Sequence, residues 1–176
     1  DLAVSPPIAV VLDIFPDHLD HHKTFREYLR AKSNIAAHQK PRDAVFYISH
    51  NRYAAAIAKK SLGEKIAVSA HDTGTPFRRE DLAVPGSHNF QNAVVAYRIA
   101  TFLGCPKNAA TQAIETFAGL PHRLEFVREL RGVRYYNDSA SANPIATIAA
   151  LKSFLRKKIV LIAGGKNRNL NYAPLG

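Results

Sequence analysis

The sequence lacks the features that stabilise or anchor proteins outside the cytoplasm. Its only cysteine, Cys105, cannot form an intramolecular disulfide, which fits a reducing compartment and leads us to expect a cytoplasmic protein. No apolar run approaches the roughly 20 residues that cross a bilayer, so we expect no membrane insertion. Signal-peptide features are also absent.

The sequence contains no methionine, so it begins at Asp1 without an initiator residue. We therefore expect a piece of a longer protein.

Several common catalytic signatures are also missing. The chain has no G-x-S-x-G elbow, no paired-cysteine zinc site and no G-x-G-x-x-G fingerprint. Gly164-Gly165-Lys166 resembles the end of a phosphate loop, but Val160 occupies the position of the first glycine in G-x-x-x-x-G-K. A complete phosphate loop is thus excluded from these 176 residues.

The charge is strongly positive and unevenly placed. The net charge is +10, from 24 Lys and Arg against 14 Asp and Glu, and residues 131–176 carry eight basic groups and one acidic group. Such a surplus attracts nucleic acid, nucleotide phosphates or an acidic small molecule. Because no nucleic-acid-binding motif accompanies it, we expect no nucleic-acid partner.

Alternating strand and helix patterns predict an α/β protein with a mostly parallel sheet. The apolar runs typical of strands cover residues 8–14, 44–49, 66–70, 124–130, 133–137 and 159–163. Helical patterns cover residues 24–36, 52–62, 87–103, 108–118 and 144–155, with Thr24 as an N-cap and Gly63 as a C-cap. Gly119-Leu120-Pro121 is the predicted linker between domains 1–119 and 120–176.

A dense polar cluster, Asp17-His18-Leu19-Asp20-His21-His22, directly follows the first predicted strand. Ligands of open α/β sheets bind beyond the carboxyl ends of strands, and imidazole and carboxylate groups bind divalent metals. A solvated loop with aspartate turns is the alternative.

Lys32 falls on the apolar stripe of the first predicted helix. Burial there would favour the neutral amine, a nucleophile that can react with a substrate or with carbon dioxide. The alternative is that its stem packs while its charge reaches water.

Three further segments carry groups suited to a nucleotide. His88, Asn89 and Asn92 open a helix, where the two asparagines lie three apart and can contact a base or ribose; helix capping by Ser87 or Asn89 is the alternative. Arg123 follows the linker and can reach a phosphate. Asp138 ends a strand and could bind a metal or a nucleotide hydroxyl, whereas Asn143 before Pro144 could be only a cap.

In this order, the segments resemble the Mur ligase family, most closely its D-glutamate-adding branch. The matching stretches are PDHLDHH, RAKSNI, GSHNFQNAVVA, GLPHRLEFVRELRGVRYYNDSASANP and IVLIAGGKNRNLNYAPL. The resemblance implies part of a P-loop-type central ATPase domain, joined to the start of a Rossmann-like C-terminal domain. It also implies an ATP-dependent, magnesium-requiring, monomeric ligase of peptidoglycan synthesis, which joins D-glutamate to UDP-N-acetylmuramoyl-L-alanine through an acyl phosphate.

The resemblance also implies roles for particular residues. His18 resembles a magnesium ligand, and Lys32 resembles a lysine that becomes carbamylated and helps to hold that metal. Nucleotide contacts are implied for His88, Asn89, Asn92, Arg123 and Asp138. Contacts near the incoming amino acid are implied for Ser139, Asn143 and Arg168.

The chain departs from the family pattern at several positions, among them Arg168, which stands about where a lysine is common. Where D-S-K-A-T-N is usual, Ala140 and Ala142 replace the lysine and the threonine. This leaves open a related ligase with another amino-acid acceptor, or a degenerate paralogue without activity. Because the phosphate loop and the UDP-binding domain are missing, we expect these residues alone to be inactive.

Overall fold

The computed structural model describes residues 4–16, 21–69, 74–154, 157–165 and 170–175. The chain forms two compact units, residues 1–72 and residues 73–176. The predicted domain boundary at 119/120 lies within the second unit and stays a prediction.

The first unit alternates strands and helices around a parallel sheet. In chain order its elements are β1 (Ile8–Val11), α1 (Phe25–Ala37), β2 (Ala44–Ile48), α2 (Arg52–Ala58) and β3 (Glu64–Val68). The strands lie in the order β1-β2-β3, and both pairs are parallel. The predicted α/β class with a parallel sheet is confirmed.

The core of the first unit lies between the sheet and its helices. Alternate residues of β1, Ala9 and Val11, are buried, and β2 is buried at four of its five positions. Ala36 of α1 and Ile57 of α2 pack into the same apolar cluster. This placement leaves the carboxyl ends of the strands as the edge where polar side chains collect.

A buried glutamine links the starts of β1 and β2. Gln39 is 1% exposed, and its Nε2 donates to the carbonyl oxygens of Pro6 at 2.9 Å and Ala44 at 2.8 Å. The Gln39 amide therefore joins the carbonyl just before β1 to the first residue of β2.

Several predicted boundaries in the first unit are wrong. β1 ends at Val11 rather than residue 14, and β3 spans Glu64–Val68 rather than residues 66–70. α2 ends at Ala58, so Gly63 is not its C-cap. Gly63 instead lies against the backbone of Asp43, where even a methyl group would overlap the Asp43 carbonyl. For Gly63 to lie this close to Asp43, α2 ends at Ala58 and does not continue to residue 62.

The second unit begins with a 3₁₀ turn at Arg79–Asp81, followed by α3 (Ser87–Phe102) and α4 (Lys107–Glu115). Then come β4 (Glu125–Leu130), β5 (Val133–Asn137), α5 (Pro144–Lys152) and a 3₁₀ turn at Ala173–Leu175. β4 and β5 form an antiparallel hairpin, with a register shift between Phe126 and Arg128.

The predicted strand at 159–163 is wrong. These residues form no strand, and Val160 and Ile162 are 90% and 95% exposed. An apolar run becomes a strand only where a neighbouring strand pairs with its backbone, and none of the described segments does so here.

Within the described ranges, no helix is both long enough and apolar enough to cross a membrane.

Candidate functional site

A carboxylate that sequence reasoning missed lies at the carboxyl edge of the first unit's sheet. Asp13 follows β1, and its Oδ1 lies 3.3 Å from His50 Nε2 and accepts from Asn51 Nδ2 at 3.1 Å. Asn51 also donates to Ile14 O at 3.2 Å. The Oδ1 of Asn51 accepts from two backbone N–H groups in the first turn of α2. Asp13 is therefore held in place by residues at the end of β2.

The signal for Asp13 was present in the sequence. A carboxylate inside the apolar run IAVVLDIF is expensive to bury unless it is paired. Its position just after a short strand, rather than within a longer one, places it where ligands of parallel sheets bind. The side chain is 25% exposed, so it remains accessible.

The predicted metal cluster is only partly described. His18 lies outside the described residues, as do Asp17 and Asp20. The His22 ring lies 4.9 Å from that of His21 and 5.5 Å from that of Tyr28, so these rings pack against one another. Among the residues that the structure describes, no three His, Cys, Asp or Glu side chains are grouped as a metal site.

Lys32 is exposed, although it shares a helix face with buried residues. Its Nζ lies 5.4 Å from the centroid of the Tyr28 ring. This is a cation–π contact, which a charged ammonium makes while it remains in water. Of the two sequence-based alternatives, the structure therefore has the solvated lysine rather than the desolvated amine.

The start of α3 depends on a glycine. Gly86 is the N-cap with φ +104° and no side-chain capping bond, so neither Ser87 nor Asn89 caps the helix as the alternative proposed. The Asn89 amide instead donates to Pro85 O at 2.7 Å. Asn92 is exposed. The asparagine pair therefore has one member engaged with the preceding loop and one open to solvent.

His88 lies beside this glycine with one ring nitrogen unsatisfied. Its Nδ1 is buried and has no hydrogen-bond partner among the described residues. Burial lowers the pKa of His88, and the charge of Arg79 adds to this, whereas Asp138 opposes it. A lowered pKa keeps the imidazole neutral at pH 7, when it can donate or accept a hydrogen bond.

A shallow cavity of about 270 Å³ adjoins the same segment. It is lined by Arg79, Glu80, Leu82, Val84, Pro85, Gly86 and Ser153. The lining combines apolar groups with one basic and one acidic side chain, Arg79 and Glu80, so it does not select for the charge of a ligand.

Arg123 occupies an unusual turn. Arg123 N donates to Leu120 O at 3.2 Å, which closes a β-turn with Pro121 second and His122 third. His122 has φ +65° and Leu124 has φ +47°, so residues in left-handed backbone conformation flank the arginine on both sides. The Arg123 side chain is exposed.

Asp138 lies against this turn. Its Oδ1 accepts from Leu124 N at 3.0 Å, and its Oδ2 accepts from Ser141 Oγ at 2.6 Å. Ser139 is exposed. Asn143 caps α5 by accepting from Ala146 N at 2.9 Å. Arg168 lies outside the described residues.

Comparison with known proteins identifies the family. Residues 1–82 match the model of the Mur ligase middle domain. The UDP-N-acetylmuramoylalanine–D-glutamate ligases of Pelotomaculum thermopropionicum and Geobacter metallireducens are 37% and 40% identical over 95% and 97% of this chain. The chain belongs to the Mur ligase family. It spans 41% of the length of both relatives.

Solved Mur ligase structures share the fold. MurF from Acinetobacter baumannii aligns with a TM-score of 0.71 at 22% identity, covering 88% of this chain and 38% of its own. A second crystal structure of that protein gives a TM-score of 0.65 at 23% identity. At this identity the likeness concerns the fold alone.

As a Mur ligase chain, the molecule carries its candidate residues in both compact units. Asp13 and Lys32 lie in the first unit. In the second unit, His88 and Asp138 are close enough for the aspartate to affect the pKa of the histidine. Arg123 is joined to Asp138 through the backbone of Leu124.

Gly86 offers a test of the packing at the start of α3. In Gly86→Ala, the new Cβ would lie 2.5 Å from Ser153 Oγ and 2.6 Å from His88 Cε1, at a positive φ. We expect the free energy of unfolding of the second unit to fall by about 2 to 3 kcal/mol, combining backbone strain and crowding. Urea denaturation monitored by circular dichroism measures it.

Gly104→Ala is the matched control for Gly86→Ala. Gly104 has φ +86° with nothing within 4 Å of an added methyl group, so it reports strain without crowding. Equal losses in the two variants would contradict the close approach of His88 and Ser153 to Gly86.

Proposed function

We propose that the complete protein containing this chain is an ATP-dependent ligase that joins D-glutamate to UDP-N-acetylmuramoyl-L-alanine. The observation that carries the proposal is the similarity to ligases of that name over 95% to 98% of the chain, at 32% to 40% identity. The proposed substrates are those that the names of these relatives give.

The proposed reaction has two steps. The substrate carboxylate attacks the γ-phosphorus of ATP, forming an acyl phosphate and releasing ADP. The amine of D-glutamate then attacks the acyl carbon, expels phosphate and loses a proton to give the amide. Groups that stabilise charge on the phosphoryl oxygens contribute most to such transfers.

We assign the ATP contacts to residues of the second unit. The exposed guanidinium of Arg123 is suited to a phosphate, because arginine donates in a planar fork. His88, Asn89 and Asn92 at the start of α3 are assigned to the adenine side of the nucleotide. Ser139, Asn143 and Arg168 are assigned to the incoming amino acid.

Magnesium is the proposed metal, and it would offset negative charge on the phosphates when bound. His18 and Lys32, the latter as a carbamate, are its proposed protein ligands. Asp13 is added from the structure, because its carboxylate is accessible at the carboxyl edge of the sheet. Oxygen donors of this kind suit magnesium. The Nζ of Lys32 is exposed, so carbon dioxide can reach it once the ammonium has released a proton to solvent.

Phosphate release tests the function. The purified complete protein should release phosphate from ATP when both UDP-N-acetylmuramoyl-L-alanine and D-glutamate are present. Release should fall at least about tenfold when either is omitted, since each is a reactant. A coupled colorimetric phosphate assay measures this, and mass spectrometry identifies the amide product.

A second candidate is a Mur-type ligase with another amino-acid acceptor, favoured by Ala140 and Ala142. Activity with another amino acid and none with D-glutamate would establish that alternative. No phosphate release with any acceptor would instead favour a degenerate paralogue.

A further inference from the structure

A groove between α1 and α2 encloses a cavity of about 310 Å³ in the first unit. Its two sides are rows of residues with the same spacing, i, i+3, i+4 and i+7, which places each row on one helix face. The α1 row is Arg26, Leu29, Arg30 and Ser33, and the row of α2 and the turn after it is Tyr53, Ala56, Ile57 and Lys60. A cavity of this size suits a small molecule.

The charged residues that line the α1–α2 groove are all positive. Arg26 and Arg30 belong to the α1 row, and Lys60 belongs to the α2 row. All three are exposed, and none forms an ion pair with a residue in the described ranges. The two arginines lie four residues apart on one helix, where like charges repel. An anion bound in the groove would reduce this repulsion.

No carboxylate of the two helices faces this positive charge. Glu27 is the only acidic residue of α1, and its Oε2 accepts from the backbone N–H of Lys23 at 3.1 Å instead. α2 has no acidic residue. Arg52 adds a further positive charge beside the groove, since its guanidinium carbon lies 4.7 Å from the centroid of the Tyr53 ring.

The deeper part of the groove is apolar. Ile57 is 2% exposed and Leu29 is half-buried. Ser33 is also buried, but its Oγ already donates to Leu29 O at 2.7 Å. Positive side chains around an apolar floor suit a ligand that is anionic at one end and apolar at the other.

We propose that the α1–α2 groove is a binding site for a small phosphate monoester that carries an apolar or aromatic group. Arg26 and Lys60, one from each side, bind the phosphate oxygens, for which guanidinium and ammonium groups are suited. The apolar group lies against Leu29 and Ile57. None of the lining residues is among those proposed for the ligase reaction, so this inference does not depend on the proposed function.

Methyl NMR of the complete protein tests the site, with phenyl phosphate as the probe. The methyl groups of Leu29, Ala56 and Ile57 line the groove, so their signals distinguish binding there from binding at a nucleotide site. We expect these signals to shift and saturate as phenyl phosphate is added. Phenol, which lacks the phosphate, should bind at least about tenfold more weakly, because it makes no charge-assisted hydrogen bond.

Two charge-matched double variants test the contacts. Arg26→Gln with Lys60→Gln alters the groove, and Arg42→Gln with Lys59→Gln is the control. Each pair removes one arginine and one lysine charge, and the control residues are exposed and do not line the groove. We expect the Kd for phenyl phosphate to rise about tenfold or more in the first variant and less than about twofold in the control.

Three results would overturn the proposal. Groove methyl signals that do not shift would mean that the complete protein binds no phosphate monoester there, including the case in which another of its segments fills the groove. Equal rises in Kd for the two variants would mean a general effect of positive charge. Phenol binding as tightly as phenyl phosphate would remove the phosphate contact, and this comparison holds even where a variant does not fold.

Discussion

Gly63→Ala should strongly destabilise the first unit. The new Cβ would overlap the carbonyl oxygen of Asp43 and lie 2.6 Å from its carbon and 3.0 Å from Lys40 O. These are backbone atoms, and Asp43 O also accepts from Glu64 N at 2.8 Å, at the start of β3. Relief therefore requires moving the end of the sheet.

We expect Gly63→Ala to lower the free energy of unfolding by about 3 kcal/mol or more. For a unit of this size, that corresponds to a midpoint lower by roughly 12 °C or more. Thermal unfolding followed by circular dichroism measures the change. Gly164→Ala is the control, because nothing lies within 4 Å of its added methyl. Similar midpoints for the two variants would contradict the contact at Asp43.

Lys32→Ala should remove nearly all ligase activity from the complete protein. The Lys32 ammonium would first release a proton to solvent; the neutral amine would then bond to the carbon of carbon dioxide, and its nitrogen would lose a second proton, so that a cation becomes a carbamate anion. That group would bind magnesium next to the transferring phosphate. Removing such electrostatic stabilisation should cost about a hundredfold or more in kcat. The phosphate-release assay measures it.

The control for Lys32→Ala is Arg30→Ala, which removes another exposed positive charge from α1. We expect Arg30→Ala to retain activity, and excess bicarbonate to restore part of the activity of Lys32→Ala. Full activity of Lys32→Ala would remove this lysine from the proposed metal site. Equal losses of activity in both variants would mean that positive charge on α1, rather than a carbamate at Lys32, is what the reaction needs.

Local patterns predicted much of the fold, because the signals that define it are short-range. Thr24 begins α1 as expected, with its Oγ1 accepting from Glu27 N at 3.1 Å. β5 has the predicted bounds, Val133–Asn137. The failures depend on distant residues. Gly63 owes its place to Asp43, twenty residues earlier, and the apolar run at 159–163 would need a pairing strand that its own pattern does not reveal.

Site prediction divides in the same way. Residue type and order were enough to nominate Asn89, Arg123 and Asp138. They could not show that Asp138 bonds to the backbone beside Arg123, because that contact depends on the hairpin bringing β4 and β5 together. The sequence also could not predict the exposure of Lys32. Helical periodicity shows which face of the helix a side chain lies on, but not whether another part of the chain packs against that face.

Gln39 affects the register of β1 against β2. Its amide fixes the carbonyls of Pro6 and Ala44, while Ala44 N donates to Pro7 O at 2.8 Å. The pairing of Ile8 with Ala44 follows directly from these bonds. Sliding β1 by one residue would turn Ala9 and Val11 away from the core. A single side chain outside the strands therefore helps to determine which face of β1 is buried.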